Sequence, residues 1–141
     1  MVRVNLVAPK KLSDQHLIAE YAEILILKKQ LERYPCSAIP KDFCLGAGHQ
    51  MFFRDKGMYL KKRHDILAGE MKKRGFKPKK TFSLKKMTKD KLNNWKPQER
   101  DIKIVKKRIM SRLMEKPEWY RYYGKNKNKK FWRRLCKKQT S

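Results

Sequence analysis

With 141 residues, 39 Lys+Arg against 13 Asp+Glu and a formal net charge of +26, the chain is long enough for one domain with a modest core but cannot neutralise its own surface. A mean hydropathy of −0.90 beside 40% hydrophobic residues makes the polarity charge rather than Gly/Ser/Pro filler, and self-repulsion on this scale points to a polyanionic partner. No stretch has the length of a membrane span or the clean amphipathicity of an anchor, and no secretory hydrophobic region follows Met1, so DNA or RNA is favoured over a membrane.

Residues 2–12 read as an extended arm ending at Pro9-Lys10-Lys11. Ser13 or Asp14 can cap a first helix, in which Leu17, Tyr21, Ile24, Leu25 and Leu31 share one face. Lys28, Lys29, Glu32 and Arg33 wet the other side, and Pro35 stops the helix. A loop from Pro40 to His49 contains Leu45-Gly46-Ala47-Gly48-His49. No strand precedes it and the Lys-Ser/Thr of a phosphate-binding loop is missing, so a tight turn between closely packed helices is the better reading.

The spacing predicts a second helix from Phe53 to Arg74, with Leu60, Ile66, Leu67 and Met71 inward and Gly75 at its C-cap. Lys61, Lys62, Arg63, Lys72, Lys73 and Arg74 are expected outside. Residues 76–98 form a Lys-rich irregular connection with room for one short turn. A third helix starts near Gln98 or Glu99, with Ile102, Val105, Ile109 and Leu113 inward and Lys106, Lys107, Arg108 and Arg112 outside, until Pro117 breaks it.

Four aromatics then fall within residues 119–123, interleaved with Arg121 and followed by Lys125. They either stack on bases and clamp a backbone or pack across the helices. Trp119 and Tyr122 are assigned to the core, and Tyr120, Arg121, Tyr123 and Lys125 to the partner. The fold class is all-α: a single compact three-helix domain over 1–125, with an extended N-terminal arm and irregular basic loops. Residues 126–141 are read as a basic C-terminal tail containing Phe131 and Trp132. Cys36, Cys44 and Cys136 are odd in number and widely spaced, which suits small buried hydrophobes in a reducing compartment rather than a disulfide framework or a zinc site.

The chemistry lies in the opening residues. Valine at position 2 is small enough to let the initiator methionine be removed, exposing its α-amine. Such an amine titrates near about 7.7 against about 10.4 for lysine, so roughly one in six is neutral at pH 7 compared with about one lysine in 2500. Nearby cations, Arg3 first, lower its pKa further. It is therefore the better imine-forming nucleophile among many amines. In the first helix, His16 and Glu23 are nearly eclipsed, with Glu20 about 40° from His16. Glu23 can stabilise positive charge at an anomeric carbon and then take a sugar proton; spacing alone favours a surface carboxylate paired with a lysine. His16 reads either as a satisfied helix-start histidine or as part of a site.

The matching pieces run the length of the chain: Arg3-x-Asn5-Leu6, Asp14-Gln15-His16-Leu17-x-Ala19-Glu20-Tyr21-x-Glu23, Leu45-Gly46-Ala47-Gly48-His49-x-x-Phe52-Phe53-x-Asp55-Lys56, Lys73-Arg74-Gly75-Phe76 and Pro117-x-Trp119-Tyr120-x-Tyr122-Tyr123-Gly124-Lys125. In this order the chain resembles the pyrimidine dimer DNA glycosylase family, the phage endonuclease V type and its large-virus and bacterial relatives. The resemblance implies cofactor-free and metal-free chemistry on double-stranded DNA containing pyrimidine dimers. The terminal amine of Val2 would attack the deoxyribose and Glu23 would serve as acid/base, with β-elimination nicking the strand. Arg3 and Gln15 would hold the lesion and its phosphates, His16 would support the site, and Arg108 would touch the DNA backbone, with Arg112 one turn on beside it as a further DNA-binding candidate.

The sequence departs from that family at Ala22 and Ile26, where arginine is usual, and the tail extends beyond the usual C-terminus. The enzyme is expected to act as a monomer inside a reducing compartment that holds DNA, whether host nucleus or cytoplasm, or a virion. The competing readings are a non-catalytic DNA-binding or virion DNA-packaging protein that reuses the fold, and an RNA-binding protein.

Overall fold

Ser13 begins the first helix. Its hydroxyl accepts the His16 backbone N–H at 3.1 Å, satisfying an amide that the first turn would otherwise orphan. Helix α1 (Asp14–Arg33) follows, burying Leu17, Glu20, Tyr21, Ile24, Leu27 and Leu31. At its far end the buried Lys91 ammonium donates to the carbonyls of Leu31 and Tyr34, a cation placed at the negative end of the helix dipole. The computed structural model describes residues 3–137.

Helices α2 (His49–Phe52) and α3 (Gly57–Lys73) follow. The second long helix thus starts four residues later than its periodicity predicts, because Phe52 and Phe53 are buried in a separate turn stapled by Lys56, whose ammonium donates to the Phe52 carbonyl at 2.8 Å. The end of α3 is as expected: Gly75 takes φ +89°, the Gly75 N–H reaches the Lys72 carbonyl at 3.1 Å and the Phe76 N–H that of Met71 at 2.9 Å, the two bonds of a Schellman cap. Helix α4 (Glu99–Glu115) opens with a capping box between Gln98 and Asp101. The connection between α3 and α4 is irregular apart from a 3-10 turn at Lys89–Lys91. It is nevertheless anchored, since the Tyr21 hydroxyl accepts the Lys80 N–H at 2.8 Å and Phe82 is fully buried.

The aromatic segment is a hairpin. Strands β1 (Arg121–Tyr122) and β2 (Lys125–Asn126) pair antiparallel around Tyr123 and Gly124, both at positive φ, as a two-residue type I′ turn requires. Helix α5 (Lys129–Lys137) then packs on α4. Residues 129–137 are therefore a docked helix where the sequence suggested a tail, with Trp132 at 0% exposure and its indole N–H on the Pro117 carbonyl at 2.9 Å. Trp119 loses the core position assigned to it and is 59% exposed. Ile66, expected inward, is 52% exposed, while Leu27 takes a fully buried place and Leu25 only a partly buried one. The chain is mostly helical, three long helices and an arm around one core, as the periodicity indicated.

Two arginines expected in solvent are buried instead. Arg63 grips Glu20 with Nε–Oε2 2.6 Å and Nη2–Oε1 2.9 Å, and its Nη1 donates to the Val7 carbonyl at 2.6 Å. Arg74 pairs with Asp14 and Glu70. Asp14 also accepts the Tyr123 N–H on Oδ1 and the Gly124 N–H on Oδ2, fixing the hairpin to the start of α1.

Removing one member of the Glu20–Arg63 pair leaves a buried charge without its partner, a loss of about 3–5 kcal/mol. Glu20→Ala should cost about that much in urea unfolding, whereas replacing both residues with methionine should cost far less; equal losses would contradict the pairing.

Candidate active site

The arm reaches α1 by a bend rather than a straight extension. Leu6 sits at φ +59° and the Val7 N–H bonds the Asn5 carbonyl, a γ-turn that a leucine adopts only when its surroundings hold it there. Three contacts hold this one. Arg63 binds the Val7 carbonyl on one side of the bend. On the other side, the Val4 N–H donates to His49 Nε2 at 3.0 Å, and the Arg3 N–H donates to Glu23 Oε2 at 3.3 Å.

His49 is fully buried. Because Nε2 must accept from Val4, its proton is on Nδ1, which donates to the Cys44 carbonyl at 2.9 Å. Burial pulls its pKa down to about 4, so the ring is neutral and can accept the arm. The glycine turn before it serves this placement: a side chain on Gly48 would meet Cys44 Sγ at 2.9 Å. Position 49 was visible in the sequence as the end of a turn motif within a matching segment, with no role attached to it.

Arg3, Asn5, His16, Ala19, Glu23, Arg108, Arg112 and Tyr120 line an open cavity of about 250 Å³. Glu23 is its carboxylate. Partial burial raises the Glu23 pKa, opposed by the Arg3 N–H and by Arg108. Arg108 is shifted down by burial and by Arg3 and Arg112, yet a guanidinium remains charged. His16 shares a 2.8 Å hydrogen bond with the Ser13 hydroxyl through Nδ1 and stacks on Tyr120 with centroids 4.9 Å apart. Burial, then Arg108 and Arg112, lower its pKa to about 4, so it enters the cavity uncharged. The cavity therefore offers one carboxylate among three guanidiniums, a neutral imidazole and a phenol.

Of the residues singled out in the sequence, Arg3, His16, Glu23, Arg108, Arg112 and Tyr120 converge here, and Asn5 and Ala19 join them. Val2 lies outside the described residues. Gln15 is tied to the hairpin, donating to the Trp119 carbonyl at 2.8 Å and accepting the Arg121 N–H at 2.9 Å. Tyr123 turns toward α3, its hydroxyl on Glu70 at 2.9 Å and its ring under Arg74. Arg121 and Lys125 are exposed on the hairpin and do not line the cavity. Ala22 and Ile26 lie on the neighbouring stripe of α1, lining an apolar groove of about 730 Å³ rimmed by lysines. Among the described residues, no cluster of three or more His, Cys, Asp or Glu could hold a metal, the three cysteines are free, and no helix is long and apolar enough to cross a membrane.

A family model described as pyrimidine dimer DNA glycosylase matches residues 1–84, which span the arm, α1, the glycine turn, α2 and α3. The chain belongs to the pyrimidine dimer DNA glycosylase family. The family implies a DNA substrate and glycosylase function, and the cationic cavity built around Glu23 suits both.

His49→Phe keeps the ring but leaves the buried Val4 N–H without an acceptor, a loss of about 1–3 kcal/mol; Val4 amide exchange should accelerate, and unchanged protection would contradict the anchor. The two depressed histidines also set an acid dependence. Unfolded imidazoles take up protons below about 6.5, whereas His16 and His49 in the fold do so near about 4. Between those values the unfolded state binds more protons, so their contribution is complete above about 6.5 and declines toward about 4. The melting temperature should fall across that window, and less so in His49→Phe.

Proposed function

We propose that this protein is a bifunctional enzyme, a pyrimidine dimer glycosylase with AP-lyase activity, working through an imine on its N-terminal amine. The observation that carries the reading is the 3.3 Å hydrogen bond from the Arg3 N–H to Glu23. Covalent geometry keeps an amine on residue 2 within roughly 3.6 Å of that nitrogen, so with Met1 removed the nucleophile and the acid/base carboxylate would be near neighbours.

The amine attacks the anomeric carbon as the glycosidic bond breaks, its electron pair leaving with the base. Glu23 stabilises the cationic character of that carbon. The nitrogen gives up a proton, the C1′–O4′ bond breaks as O4′ takes one, and the sugar opens to a protonated imine; Glu23 then takes a proton from the adjacent sugar carbon, and β-elimination expels the 3′ phosphate. Water releases the enzyme. The raised Glu23 pKa suits a group that both gives and takes protons. Arg3, Arg108 and Arg112 would hold phosphates, and neutral His16 with Tyr120 would form an uncharged wall for the sugar. The hairpin, held by Gln15, would carry Arg121 and Lys125 to the flanking backbone, with Tyr123 bracing it.

A second reading, a non-catalytic DNA-binding or packaging protein on the same fold, is favoured by the apolar surface at Ala22 and Ile26. Single-turnover nicking of a dimer-containing duplex separates the two. Glu23→Gln should bind within a few-fold of the wild type and lose at least about 100-fold in nicking, in the range of a general acid/base. Unchanged nicking would remove Glu23 from its role, and tight binding without nicking by the wild type would favour the second reading.

A further inference from the structure

Helix α5 has five cations and no carboxylate among its nine residues, Lys129–Lys137. Its apolar side is committed to the core: Trp132 is fully buried, and Phe131, Leu135 and Cys136 pack against the core cluster. All five cations are exposed. Lys130, Arg133, Arg134 and Lys137 alone border an open concavity of about 450 Å³. Several cations on other helices pair with a carboxylate one turn away, as in Lys28–Glu32, Lys61–Asp65 and Arg112–Glu115. Among the described residues, none of the α5 cations has an ion pair. Lys129 and Arg133, Lys130 and Arg134, and Arg133 and Lys137 are instead like charges four residues apart, an arrangement that opposes the helix.

The patch adjoins the cavity. Trp132 meets the edge of Tyr120 with centroids 6.5 Å apart, and Tyr120 is the ring stacked on His16. Helix α5 also packs on α4, which carries Arg108 and Arg112.

We propose that the outer face of α5 is a second DNA-binding surface, gripping the phosphodiester backbone of duplex DNA that flanks the damaged step. The chemistry selects this partner. A bilayer would need apolar side chains free to insert, and single strands would need exposed rings on which bases stack; here the aromatic residues face inward and only cations face out. A duplex presents phosphates alone, at a spacing that such a helix can follow. The proposal rests on DNA as the substrate and not on the lyase chemistry.

The test is a salt titration of the full chain carrying K130Q/R133Q/R134Q on an undamaged duplex roughly three helical turns long. Each lost phosphate contact flattens the slope of log K against log salt by about 0.9, so the variant should be shallower by about 2–3 and bind at least tenfold more weakly at ~0.1 M salt. A lesion-containing duplex trimmed on the α5 side of the damaged step, so that no phosphate lies opposite the helix, should bind the variant almost as well as the wild type. An unchanged slope on the long duplex, or equal losses on both lengths, would overturn the proposal. If the triple variant melts early, the single variants K130Q, R133Q and R134Q apply the same criterion, each expected to remove about 0.9.

Discussion

The buried contact between Glu20, Arg63 and the Val7 carbonyl is the constraint on which the rest of the molecule depends. It joins α1, α3 and the arm at one point, and each partner is needed to justify burying the others. Glu20 and Glu23 are three residues apart on one helix, yet their environments give them different work. The first is fully buried and neutralised by a guanidinium. The second faces a cavity and accepts the Arg3 backbone N–H from the arm. A charge enclosed one turn earlier thus positions the carboxylate that faces the cavity.

The arm is held in register by a second device of opposite character. His49 must stay neutral to accept the Val4 N–H, and burial keeps it so. A salt bridge and a neutral imidazole therefore bracket the left-handed bend at Leu6. Neither contact touches the substrate in the proposed reaction, but together they determine where Arg3 and Val4 lie relative to Glu23. The hairpin is placed in the same way from α1, with Asp14 and Gln15 spending their polar atoms on its backbone.

Local signals in the sequence were sufficient to locate the three long helices. Ser13, Pro35, Gly75 and Pro117 mark boundaries through capping and backbone chemistry that act within a few residues. The convergence of Arg3, His16, Glu23 and Arg108 was legible only through the family motifs, since periodicity cannot bring α1 and α4 together. What stayed hidden depends on distant partners. Arg63 and Arg74 look like solvent-facing cations until Glu20 and Asp14, 43 and 60 residues away, are seen to meet them. His49 looks like a turn residue until the arm arrives from 45 residues earlier. Trp119 and Trp132 exchanged roles because the Pro117 carbonyl receives the Trp132 indole, drawing α5 onto the core.

Borohydride reduction of the reacting complex tests the central claim most directly, by trapping the mature protein on dimer-containing duplex and locating the bond by peptide mass spectrometry. A covalent adduct on the N-terminal residue, obtained with the amine free and lost when it is acetylated, is the expected result. An adduct on an internal lysine, or nicking that proceeds with no trappable adduct, would contradict an account in which the arm is clamped beside Glu23 for imine chemistry.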